Sequence, residues 1–79
     1  MSNKVSYVTK EGLKKLQEEL ERLQNVERPK ISKAIGEAIE KGDISENAEY
    51  DAAKDAQGLL EAKIAQLKDT IATCRVIDE

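Results

Sequence analysis

Histidine, tryptophan and phenylalanine are absent from this 79-residue sequence, and cysteine, proline and methionine occur once each. Without histidine there is no imidazole for acid–base catalysis and no histidine metal ligand. The single cysteine, Cys74, excludes an internal disulfide and gives no sign of an oxidising compartment, so a cytoplasmic protein is expected. Residues 1–7 lack the apolar run of a signal peptide, and no window approaches the roughly 20 apolar residues that span a bilayer. A chain this short is expected to form one domain and to bury too little surface for an enclosed catalytic pocket.

Charge and aliphatic residues fill the space left by these absences. Charged residues make up 37% and hydrophobic residues 39%, with aromatics at only 3%, the composition of long solvated helices rather than of sheets. The formal net charge is −3, and it is not spread evenly. Residues 40–55 hold six acidic and two basic side chains, a net of −4, so negative charge is concentrated in mid-chain.

Apolar spacing gives the architecture. Thr9 suits a helix N-cap, with Glu11 in the first turn facing the positive end of the helix dipole. Leu13, Leu16, Leu20 and Leu23 follow at steps of 3, 4 and 3, a narrow seam that requires a partner helix. Lys14–Glu18, Lys15–Glu19 and Glu18–Arg22 are spaced as i,i+4 pairs on the solvated flank. Pro29 removes one backbone donor, yet Ile31, Ala34, Ile35, Ala38 and Ile39 resume the apolar period at once. A bend is therefore predicted there, with a phase slip between Leu23 and Ile31 of the kind a four-residue stutter produces. Lys41-Gly42-Asp43 is the one strong break, because Gly42 can take the left-handed conformation that ends a helix. Beyond it, Tyr50, Ala53, Gln57, Leu60, Ile64, Leu67, Ile71 and Cys74 alternate at steps of 3 and 4 without interruption.

Two seams of similar length joined by a short turn pack antiparallel. The expected fold is all-α, a long antiparallel two-helix coiled-coil hairpin. It spans residues 1–75, with helices over 10–41 and 46–75 and an acidic tip at 42–46. Residues 3–8 are expected as an extended lead-in. Residues 76–79 leave the heptad and read as the start of a linker or strand into a further domain.

A hairpin of this shape has its working end at the turn, Gly42-Asp43-Ile44-Ser45-Glu46-Asn47-Ala48-Glu49-Tyr50. Asp43 and Glu46 are three residues apart, and two such carboxylates offer hard oxygen donors of the type Mg²⁺ accepts. The competing interpretation is a capping box, in which the same spacing only starts the second helix. Ile44 is wasted at an exposed turn unless it packs or meets a partner. Lys54 and Lys41 are the nearby cations that could meet a phosphate, and a lone helix lysine is more often merely solvated. Cys74, at a seam position, reads as a small buried hydrophobe.

These residues together resemble the N-terminal domain of the Gre transcript cleavage factors, nearer the GreA than the GreB branch. The resemblance runs through Thr9-Lys10-Glu11-Gly12, Glu27-Arg28-Pro29, the tip motif, Ala52-Ala53-Lys54, Gln57-Gly58 and Val76-Ile77-Asp78. It implies a transcription elongation factor domain, not itself an enzyme, whose hairpin enters the secondary channel of bacterial RNA polymerase. There it would donate catalytic groups in trans, Asp43 and Glu46 sharing Mg²⁺ held mainly by the polymerase and stimulating its cleavage of backtracked nascent RNA. Lys41 and Lys54 become the candidate contacts to the RNA 3′ end. The basic patch that family members often carry near the tip is reduced here to those two lysines, which fits short backtracks. Two alternatives share the fold: an interaction hairpin whose acidic turn is only a cap, and one that occupies the channel without stimulating cleavage.

Overall fold

A computed structural model describes residues 5–42 and 46–77 of the chain. In chain order it contains β1 (Tyr7–Val8), α1 (Lys10–Arg22), a π-helical turn (Leu23–Glu27), α2 (Arg28–Glu40), α3 (Ala48–Thr73) and β2 (Arg75–Val76). The first three helical segments form one continuous arm, and α3 returns antiparallel beside it. The hairpin measures 55 × 25 × 12 Å, two helices wide and one layer thick.

Thr9 caps the first arm as its position predicts, its Oγ1 accepting the Gly12 N–H at 2.9 Å. Such a cap contributes about 1 kcal/mol. A β-carbon at Gly12 would stand 3.2 Å from that hydroxyl, so the small residue keeps the cap uncrowded. On the flank, Arg22 pairs with Glu19 and with Glu27, the latter at 3.1 Å, in place of the i,i+4 pairs expected from spacing.

Pro29 is accommodated by a rearrangement that spacing alone did not specify. The Arg28 N–H reaches back five residues to the Leu23 carbonyl, so one residue more than an α-helix allows is taken into the turn before the proline. This answers two demands at once. The wider turn relaxes the collision an interior proline makes with the preceding carbonyls. It also absorbs the phase slip, since seam positions Leu23, Glu27, Ile31 and Ile35 are spaced four apart where a heptad alternates three and four.

The seam follows the expected spacing except at Ala34 and Ile39, which lie exposed on the flank of α2. Leu23 and Ile64 are each 2% exposed and Leu60 is buried beside them, with Leu20, Ile31 and Leu67 packed around the three. Toward the tip, the small residues Ala38 and Ala53 are buried. Every seam position of α3 from Tyr50 to Cys74 is buried or half-buried, whereas Leu59, off the seam, is 75% exposed.

Both ends of the hairpin differ from the expected boundaries. The first arm stops at Glu40 with Lys41 as its C-cap, and α3 runs from Ala48 to Thr73 rather than over 46–75. The extended residues at the start and end of the chain pair with each other: β1 and β2 form a two-stranded parallel sheet, Tyr7 opposite Arg75 and Val8 opposite Val76. Bonds at its margins include Arg75 N–H to the Ser6 carbonyl at 2.8 Å and Ile77 N–H to the Val8 carbonyl at 2.9 Å. No helix among the described residues is long and apolar enough to cross a membrane.

Candidate functional site

The turn is built from the ends of α2 and α3. Lys41 and Gly42 close the last turn of α2, their N–H groups donating to the carbonyls of Ala38 at 3.2 Å and Ile39 at 3.4 Å. Gly42 has φ of +133°, a region that side chains disfavour, so the glycine is what permits the chain to leave the helix here. Asp43, Ile44 and Ser45 lie outside the described residues, and with them the position of the Asp43 carboxylate.

Glu46 is exposed and immediately precedes Asn47 at the start of α3. The N-cap of α3 is Asn47, whose Oδ1 accepts the Tyr50 N–H at 3.0 Å. A capping box over Asp43 and Glu46 would put the N-cap at Asp43, so the start of α3 lies four residues later than that interpretation has it.

Asn47 also reaches the other arm, its Nδ2 donating to the Ala38 carbonyl at 2.6 Å. A second bridge lies outside the first, where Lys41 Nζ meets Glu49 Oε2 at 2.8 Å. The hydrogen bond and charge of Glu49, with a smaller contribution from Glu37, raise the Lys41 pKa above that of a free lysine. Lys41, Glu46, Asn47, Ala48 and Glu49 together surround a shallow open hollow on the side of the tip.

The sequence-predicted residues are thus distributed unevenly. Glu46 and Lys41 border the same hollow, with Lys41 engaged by Glu49. Lys54 lies further along α3 and donates to Gln57 Oε1 at 3.0 Å, directed along its own helix. Asn47 was legible only as an ordinary helix-start residue. Its signal was an asparagine followed by Glu49 and Asp51 in the first helical turn, where carboxylates suit the dipole.

For Mg²⁺ the described tip offers the exposed Glu46 carboxylate as a hard donor, while Glu49 is held by Lys41. No group of three or more His, Cys, Asp or Glu side chains that could hold a metal occurs among the described residues. Such a donor set fits a metal whose remaining ligands come from elsewhere, as Mg²⁺ takes one or two carboxylates beside water or substrate oxygens.

Comparison with known proteins extends this geometry. The family described as "Transcription elongation factor, N-terminal" matches residues 6–76. Transcription elongation factor GreA of Christiangramia forsetii is 68% identical over 77 residues, which cover 98% of this chain and 49% of the relative. The corresponding protein of Flavobacterium johnsoniae is 62% identical over 77 residues with the same coverage. That of Mycoplasma pneumoniae is 51% identical over 74 residues, 94% of this chain and 46% of the relative. The chain spans about half the length of the curated relatives it matches. A match of this extent, on a chain that folds as a thin hairpin with an acidic tip, places it within a family: it belongs to the Gre transcription elongation factors and corresponds to their N-terminal domain.

Proposed function

We propose that this chain is the part of a transcript cleavage factor that enters the secondary channel of bacterial RNA polymerase. There it stimulates the polymerase's own hydrolysis of backtracked nascent RNA by presenting Asp43 and Glu46. The observation that carries this reading is the exposed Glu46 carboxylate at the end of a hairpin 55 Å long and 12 Å thin. A carboxylate so placed is open to a partner, and the shape suits a passage too narrow for a globular domain.

Asp43 and Glu46 divide two tasks, contributing an oxygen ligand to the metal and holding or deprotonating the attacking water. Mg²⁺, held mainly by the polymerase, would supply neutralisation of charge on the scissile phosphate. Glu46 can accept a proton or a hydrogen bond because its carboxylate faces solvent at the tip. Lys41, beside Glu46, is positioned to meet the RNA 3′ end, with Lys54 behind it on α3. The domain is then a donor of catalytic groups and not an enzyme alone, and the reading places it in the cytoplasm with the polymerase.

The test is Mg²⁺-dependent shortening of RNA in backtracked elongation complexes. The chain is added alone and joined to the second half of a full-length relative, beside variants Asp43→Asn and Glu46→Gln. Stimulation by the parent, lost in both variants while thermal melts stay parental, is the expected result. Binding without shortening would make the hairpin an occluder of the channel. Full stimulation by either variant would remove the role given to that residue.

A further inference from the structure

Among the described residues, Asn47 alone forms side-chain hydrogen bonds to both arms at the tip. Its Oδ1 accepts from Tyr50 N–H on α3 at 3.0 Å, and its Nδ2 donates to the Ala38 carbonyl on α2 at 2.6 Å. Exchanging the amide oxygen and nitrogen would lose both bonds, so the chemistry fixes the orientation. Capping α3 requires only the acceptor, which Ser, Thr or Asp would supply equally well. What asparagine adds is the donor. The Ala38 carbonyl already accepts the Lys41 N–H at 3.2 Å, so the added bond is not needed to satisfy a bare acceptor. Its effect is to fix the distance between the last turn of α2 and the first residue of α3.

We infer that Asn47 is a positioning residue for the acidic tip, stapling the two helix ends so that the adjacent Glu46 is held at a set height and direction relative to both arms. This rests on the function proposed above and adds a residue to it. Glu46 and Asn47 are consecutive, so their Cα atoms are about 3.8 Å apart. Movement of the staple is therefore movement of the carboxylate. Reacting groups must be held to within about 0.5 Å, and a displacement of about 1 Å can lower a rate a hundredfold. Neither bond involves the flanks of the hairpin, so the staple is separate from the surfaces available for binding a partner.

Asn47→Asp tests this, because it keeps the capping acceptor and suits the helix dipole but cannot donate, when ionised, to the Ala38 carbonyl. Asn47→Ser keeps a capping oxygen without added charge and guards against an effect of charge alone. Each is made in the chain joined to the second half of a relative, and RNA shortening is measured over a range of factor concentrations. The temperature is one at which circular dichroism shows parental helicity. The expected result is a plateau rate lowered about tenfold or more in both variants, with the half-saturating concentration unchanged. A parental plateau in either variant, or a shift in half-saturation without loss of plateau, would overturn the inference. Glu46→Gln is run alongside. Should it also keep the parental plateau, the reading of the tip itself fails, and that outcome is distinct from failure of the staple alone.

Discussion

Arg28 and Glu61 hold each other across the arms, Nε to Oε2 at 2.8 Å and Nη2 to Oε1 at 2.7 Å, a bidentate pair on the surface of the hairpin. The Arg28 hydrogen bond, with its charge and that of Lys68, lowers the Glu61 pKa below the ordinary glutamate value, and Arg28 is raised in turn. A carboxyl depressed in the folded state stabilises fully above its unfolded pKa of about 4.3 and loses that contribution as the pH falls through both values. Acidification from about pH 6 to about pH 3 should therefore lower the melting temperature of the parent more steeply than that of Glu61→Gln. Equal slopes would show that the pair adds no pH-dependent stability. The sequence did not reveal this pair. Arg28 and Glu61 are 33 positions apart, and which charges meet across a seam depends on a register that only packing sets. The cap at Asn47 was hidden for a related reason: Asp43, Ser45 and Asn47 are all acceptable N-caps locally, and Asn47 also reaches the Ala38 carbonyl on the other arm.

Helical elements were far more legible, because α3 carries an unbroken heptad and nothing competes with it. In the first arm, the proline and the phase slip were both visible, but not their joint solution in a π turn. If the turn absorbs one extra residue, deleting exposed Val26 should place Leu23, Ile31, Ile35 and Ala38 at steps of 7, 4 and 3, a regular heptad seam. That deletion alone leaves Pro29 inside an ordinary α-helix, where it costs about 3 kcal/mol. Deletion of Val26 is thus expected to depress the thermal melt, and its combination with Pro29→Ala to restore the parental value or exceed it. A double variant no better than the single one would mean that the π turn does not serve as the register adapter.

The molecule as a whole is a spacer with a charged end. On the proposed function, the length of the arms sets how far the tip carboxylates reach. Adding one heptad to α1 and one to the facing stretch of α3 moves the tip about 10 Å outward. The lengthened protein should melt no lower than the parent and still bind polymerase, yet lose RNA shortening; undiminished cleavage would show that reach is not the controlling dimension. The strands at the other end have a different consequence. Their pairing joins residues separated by nearly the whole chain, Tyr7 with Arg75. Closing so long a loop in an unfolded chain is entropically unfavourable, but it becomes nearly free once the arms have zipped from the short turn at residues 41–47. The parallel strand pair is therefore expected to form last and to fray first. The arms are thus expected to pair before the two termini are brought together.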